Sequence, residues 1–571
     1  MQRFKTYLLS ALVLSVAFTA CLKDNFLTPA QTVEVAFAGR VIDDNGQPIA
    51  GAHVRAGGDL SVTDDNGVFR LKELRLEARN AKLFVNKIGY YDFSRAYFVE
   101  NGSFQNVTIQ LMKKEQTASF NAAAGGVIEV PGGPKLIFPA NAISTENGQS
   151  YSGGVRVYAR YLDPTDPNLN LYMPGDLRGI DADGQERALM TYGMIGVELE
   201  GNGGQVLNIA SGSSVELHMP VASAQAAGAP DRIPLWHYDL QQARWIEEGF
   251  VEKSGNEFIG KVSHFSFWNV DVSFSLVELS GKVYLGDSTN AFSGAKIRLT
   301  MTSDSTSAYA TTDAMGCYKG GVPAGETFLM EILDACGEVI FSQTIGPFNE
   351  DTMLPPIVLT SAGSNQLSVS GTLLDCDGMP VSNGYVKVSV ENLILTAFTD
   401  NTGAFSLQAV RCDTAAVEGK AIAFDLDKLL QSDEQTFNVP PDSIALGDIT
   451  VCDTLNEFII YTLDNQDFVK VDPSCGVIDS FGIHTFITAF NGQDVITLSF
   501  NNNNQTGTFP LSNFWAGQIN VAQPPSGIFT TVTTAPANVG DVIEGEFSGT
   551  FLDFFGAPHT VQGTYRVVRD W

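Results

Sequence analysis

Gly39-Arg40-Val41-Ile42-Asp43-Asp44-Asn45-Gly46-Gln47-Pro48-Ile49-Ala50-Gly51-Ala52-His53-Val54, followed by Thr63-Asp64-Asp65-Asn66-Gly67-Val68-Phe69, sets alternating apolar residues between two Asn-Gly turns. Residues such as Val41 and Val54 fit half-buried strands, Asn45-Gly46 supplies the positive φ of a tight turn, and Asn66-Gly67 starts a second hairpin. The pattern returns further on. Gly371-Thr372-Leu373-Leu374-Asp375-Cys376-Asp377-Gly378-Met379-Pro380-Val381 leads to Gly384-Tyr385-Val386 and then to Thr399-Asp400-Asn401-Thr402-Gly403-Ala404-Phe405. A divergent copy lies between them: Gly281-Lys282-Val283-Tyr284, a longer turn without the proline, Gly294-Ala295-Lys296-Ile297, then Thr312-Asp313-Ala314-Met315-Gly316-Cys317-Tyr318. Such a repeat predicts an all-β chain of serial antiparallel β-sandwich domains, each copy a small sandwich of about seven short strands.

Composition agrees. With 17% charged residues, 55 glycines, 37 phenylalanines and hardly any long helical periodicity, the chain reads as strands and turns. Its 571 residues suffice for roughly three to five domains. A formal net charge of −30 repels nucleic acid and anionic headgroups, so nucleic-acid binding is set aside.

The N-terminus carries an address. Arg3 and Lys5 precede an apolar run from Tyr7 to Phe18, and Phe18-Thr19-Ala20-Cys21 closes it. The run is too short for a permanent transmembrane helix, and small residues at Thr19 and Ala20 suit a peptidase. This layout resembles a bacterial lipoprotein signal, with Phe18 standing where the pattern prefers Leu. The resemblance implies residues 1–20 as signal peptide, a lipidated Cys21 anchoring the protein at the membrane, and 21–34 as tether. Losing Arg3 and Lys5 takes the charge from −30 to −32 (−30 − 2). Leu22-Lys23-Asp24-Asn25 lacks an aspartate directly after the cysteine, which favours the outer membrane and leaves open the cell-surface or periplasmic face. The other reading is an ordinary secretory signal that happens to contain a cysteine.

The repeat resembles the carboxypeptidase regulatory-like domain, a transthyretin-like sandwich of carbohydrate-binding-like fold, over 35–113 and 363–453, and more distantly over 276–362. That family name invites an enzymatic reading which the residues resist. None of His53, His218, His237, His264, His484 or His559 has a glutamate three positions on, and no zincin, nucleophile-elbow or phosphate-loop motif occurs. Residues 114–275 are similar to a ZU5-type β-sandwich, on Gly125-Gly126-Val127-Ile128-Glu129-Val130-Pro131 and the tail Leu235-Trp236-His237-Tyr238-Asp239 to His264-Phe265-Ser266-Phe267-Trp268-Asn269. Residues 454–571 read as a further β domain of unknown function, a sandwich or a barrel.

Candidate ligand-binding residues are the aromatics Trp236, Tyr238, Trp245 and Trp268. Flat exposed rings stack on sugars, whereas a sandwich core needs the same residues, and the core reading is favoured. Trp268, beside Asn269 and Asp271, is the member assigned most readily to the surface. Acidic turns at Asp43-Asp44-Asn45, Asp64-Asp65-Asn66, Asp163 with Asp166, and Asp181-Ala182-Asp183-Gly184 could offer oxygens to calcium, but Asp and Asn also form turns unaided. His237 and His264 lack a partner clustered in sequence and read as packed side chains, so neither metal nor cofactor is expected. With Cys21 lipidated, six cysteines remain, and disulfides are expected: Cys317 with Cys336, and Cys376 with Cys412 or Cys452, leaving Cys475 unassigned.

These features predict a non-enzymatic, lipid-anchored envelope protein acting as an adhesion or ligand-binding scaffold, with glycans or envelope proteins as partners. The alternative is a carbohydrate-binding lipoprotein of a glycan-uptake system. A hydrolase with scattered residues is the third reading, and ordinary carboxylate pairs such as Glu247 and Glu248 do not support it.

Overall fold

The computed structural model describes residues 31–569, apart from short stretches of which 360–365 is the longest. Among the described residues are 45 strands and a single one-turn helix, Leu169–Tyr172, so the protein is all-β.

In the first copy, Thr32–Ile42 lies between Val68–Glu77, antiparallel to it, and Ser103–Gln110, parallel to it. A second sheet, in the order Asp59–Val62, His53–Ala56, Ala81–Asn86, Phe93–Tyr97, packs against the first. Phe37 and Val41 from one sheet meet Val54, Leu83 and Val85 from the other. A parallel pair needs a long crossover, and here the whole second sheet forms that crossover.

The other two copies repeat this arrangement strand for strand around their first strand. Gln366–Asp375 pairs antiparallel with Ala404–Val410 and parallel with Ser443–Val451. In the divergent copy, the end of Phe267–Leu285 pairs antiparallel with Cys317–Pro323 and parallel with Thr352–Met353 and Ile357–Leu359. Its facing sheet runs Ser307–Thr311, Lys296–Met301, Phe328–Leu333, Val339–Ile345. The shared threonine accepts from the equivalent backbone N–H in all three copies, and its hydroxyl donates to the equivalent carbonyl in the first two only. Thr63 donates to Ile49 O and accepts from Ala52 N, Thr312 donates to Phe292 O and accepts from Ala295 N, and Thr399 joins Gly384 N and O.

Phe267–Leu285 is one continuous 19-residue strand. Its first half pairs with Glu186–Gly201 and Arg232–Asp239 of the central module, and its second half founds the divergent copy of the repeat. The boundary expected between 275 and 276 therefore falls inside a strand, and one apolar core runs from Ala122 to Leu359.

At the C-terminus nine strands form one antiparallel sheet. Phe500 and Tyr565 lie on strands separated by three others, yet their ring centroids are 6.2 Å apart. Four inter-strand steps in a flat sheet would span roughly 19 Å. The sheet must therefore curl over its own core of Ile487, Leu498, Phe514 and Phe547.

Candidate functional site

The four candidate aromatics are all buried: Trp236 and Trp245 are 0% exposed, Trp268 1% and Tyr238 4%. Trp236 and Tyr238 do share a face of Arg232–Asp239, as alternation requires, but the first regulatory-like copy covers that face. Tyr238 Oη donates to Ser94 O at 2.7 Å, and Tyr91 and Met112 pack into the same cluster. Trp236 Nε1 donates to Asp271 O, and Trp268 Nε1 to His264 O. Trp268 faces the central core instead, and its neighbours Asn269 and Asp271 are 0% exposed. None of the four, Trp268 included, thus presents an exposed ring face on which a sugar could stack, because both faces of the sheet are covered.

The acidic turns use their carboxylates on their own backbone. Asp43 Oδ1 accepts from Asn45 N and Gln47 N, Asp64 Oδ1 from Asn66 N and Val68 N, and Asp181 Oδ1 from Asp183 N and Gln185 N. Asp163 Oδ1 takes Thr165 N, and Asp166 Oδ1 takes Asn168 N.

Among the described residues, His237, Glu248 and His264 do converge. Their donor atoms lie within 4.8 Å of one another. His264 Nε2 is 3.1 Å from Glu248 Oε2, and Ser263 Oγ donates to Glu248 Oε1 at 2.8 Å. His237 Nδ1 is 3.0 Å from the same Oε2 without a well-aligned hydrogen bond. Burial, then His264, hold His237 below its ordinary pKa. Burial pushes Glu248 up, but the bonds from Ser263 and His264 outweigh it and the carboxyl sits below its ordinary range. Two imidazoles and a carboxylate suit zinc or a similar ion. Donors at about 2.0–2.1 Å from a tetrahedral zinc lie roughly 3.4 Å apart, so a trio spread over up to 4.8 Å would have to draw closer to hold one. Sequence reading left both histidines without a partner. Glu248 reaches them because Arg232–Asp239 and Arg244–Ser254 form a hairpin and Trp268 pairs opposite His237.

Cys376 and Cys452 form a disulfide, one of the two expected pairings for Cys376. Cys317, expected to pair with Cys336, is a free thiol whose pKa burial raises. It opens the strand paired to Lys282 in the first sheet. Cys21, Cys336 and Cys412 lie outside the described residues. No helix among the described residues is long and apolar enough to cross a membrane, which says nothing of membrane β-barrels.

Residues 36–112 match the carboxypeptidase regulatory-like domain. The regulatory-like domain thus stands where the sequence signatures placed the first copy. Over 228 residues the chain is 27% identical to cartilage intermediate layer protein 2 of Mus musculus, covering 38% of this chain and 19% of that one. It is 28% identical over 236 residues to the Homo sapiens protein of the same name, covering 38% and 20%, and so spans about a fifth of the curated relatives it matches. Among solved structures, the shaft pilin SpaA of Lactobacillus rhamnosus GG aligns at TM-score 0.18 and 11% identity, over 32% of this chain and 98% of that one. The Bacillus anthracis TIE protein aligns at 0.14 and 11%, over 68% and 67%.

Proposed function

We propose that the chain is a non-catalytic envelope protein, lipid-anchored through Cys21 in the outer membrane, whose sandwiches hold a ligand or partner surface in fixed geometry. The observation that carries this reading is a cleft of about 1220 Å³ walled by four modules, with Phe104, Asn170, Lys282 and Phe398 among its lining. A cleft built between modules keeps its shape only if the modules are locked together, and the shared strand Phe267–Leu285 and the Tyr238–Ser94 contact supply such locks. Carbohydrate remains the alternative ligand, now in this cleft and not on Trp268. Glycan and envelope-protein arrays probed with the full chain test the reading. Binding should be lost on filling the cleft through the exposed Ala308 with Ala308→Trp; binding that survives, or no binding to either array, counts against it. Protease shaving of intact cells reads the membrane face.

The misaligned His237 favours a second reading, in which His237, Glu248 and His264 hold a structural divalent transition metal. Zinc added to chelator-treated protein should then raise Tm, and Glu248→Gln should abolish the rise. An unchanged Tm in the parent chain refutes it.

A further inference from the structure

The first and third regulatory-like copies meet face to face. Arg70 Nη2 donates to Thr399 O at 2.7 Å, Lys72 Nζ donates to Ser382 O at 2.9 Å, and Val68 packs with Tyr385 and Phe424. At the centre of this contact, side chains from the two copies form a chain of polar atoms. Lys387 Nζ is 2.7 Å from Asn66 Oδ1. Asn66 Nδ2 donates to Tyr385 Oη at 3.0 Å, and Tyr385 Oη donates to Asp64 Oδ2 at 2.5 Å. Tyr385 is 0% exposed and stacks on Phe424 with centroids 4.7 Å apart, and the Lys387 ammonium lies 5.8 Å from that same Phe424 ring. A primary amine, a carboxamide and a carboxyl are thus held together, walled by aromatic rings, by residues 321 positions apart in the chain.

We infer that Lys387 and Asn66 form an isopeptide bond, assisted by Asp64 and Tyr385, that fastens the first copy covalently to the third. The Lys387 Nζ lone pair adds to Asn66 Cγ, the Nζ–Cγ bond forms, the Cγ–Nδ2 bond breaks, and ammonia leaves. One proton passes from Nζ to the departing Nδ2, by way of the Asp64–Tyr385 pair that already touches Nδ2. No oxidant, reductant or further reactant enters the balance. Two conditions favour the step. Holding amine and amide in contact converts a slow bimolecular reaction into a unimolecular one. Burial lowers the pKa of Lys387 and raises that of Asp64, which favours a neutral nucleophilic amine beside a carboxyl able to give and take a proton. The second Asx-Gly turn of the repeat carries both Asp64 and Asn66, while the matching turn of the third copy, at Asp400, bonds its own Thr402.

Peptide mapping of the purified full chain by tandem mass spectrometry tests the inference. A branched species joining the Asn66 and Lys387 peptides is expected, lighter than their sum by one ammonia. It should vanish in Lys387→Arg, which keeps the positive charge, and in Asp64→Ala. Because Asn66 precedes Gly67, ring closure on the backbone would also release ammonia, so the variant decides. Ammonia loss that persists in Lys387→Arg, or parent chain at full mass with two unlinked peptides, overturns the proposal. The parent-chain measurement stands even if a variant fails to fold.

Discussion

Gly67, Gly316 and Gly403 occupy one position in three copies, with φ of 69°, 72° and 76°. A Cβ there would lie 2.3 Å from Val41 O, 2.5 Å from Val283 O and 2.5 Å from Leu373 O. Since both the dihedral and the approach exclude a side chain, Gly403→Ala should cost more than about 2 kcal/mol. Denaturant unfolding followed on the third copy will show it. Asp271 is a different case. It is wholly buried, its Oδ1 has no hydrogen-bond partner, and burial lifts its pKa well above the ordinary 3.8. The folded state therefore keeps a proton that the unfolded chain releases above pH 3.8, so this group's contribution to stability is full below 3.8 and declines as pH rises towards its folded pKa. Asp271→Asn removes that proton linkage, and Tm measured from acid to neutral pH should fall less steeply in the variant than in the parent chain. The glycine signature was legible because the Asx-Gly turn has a mechanism visible in sequence. Asp271 was not, because nothing local to Asn269-Val270-Asp271 reports that the first copy covers the face of the sheet opposite the central core.

Strands carry the next level. Alternation puts Trp236 and Tyr238 on one face, but a module boundary after Ser275 assumes that a change of module needs a linker. Phe267–Leu285 has none. Val270 pairs with Leu235 in the central module, and Val277 pairs with Val322 in the divergent copy of the repeat. Between them, Ser275 still pairs with Arg187 of the central module while Leu276 already pairs with Pro323, so the partner changes from one residue to the next without a break in the strand. Sequence reports the change of pattern there but not the continuity of the backbone, since a strand that swaps partners keeps its alternation throughout. One strand serving two modules couples their unfolding, because neither can lose it alone. Residues 114–362 should therefore melt as a single calorimetric transition. A chain ending at Ser275 should lose stability in the central module as well, whose apolar core continues into Val277, Leu279 and Val322. Two separable transitions in the full chain would contradict the coupling.

At the scale of the whole molecule, what escaped sequence reading is docking. Arg70 and Thr399 are 329 residues apart, and no periodicity or turn signal reports that they touch. Yet Arg70 is the hinge pin of the contact between the first and third copies. Its guanidinium donates to Ser382 O, Gly384 O and Thr399 O, and lies 5.7 Å and 5.5 Å from the Phe104 and Phe398 ring centroids. Burial lowers its pKa to about 10, so it stays charged at neutral pH. Each hydrogen bond from a charged donor contributes about 1.5–3 kcal/mol when buried, and less here because the site is only half-buried. Arg70→Ala removes three such bonds; Ser382 O keeps Lys72 Nζ and Gly384 O keeps Thr399, but the loss still exceeds what the small Val68, Tyr385 and Phe424 core can offset. The copies should then part while each keeps its own sandwich. The measurement belongs in a Lys387→Ala background, where no covalent link can hold them: small-angle scattering should show a larger radius of gyration for the double variant than for Lys387→Ala alone, at unchanged far-ultraviolet circular dichroism. Equal radii would mean that the remaining contacts, Lys72 to Ser382 foremost, suffice to keep the copies together.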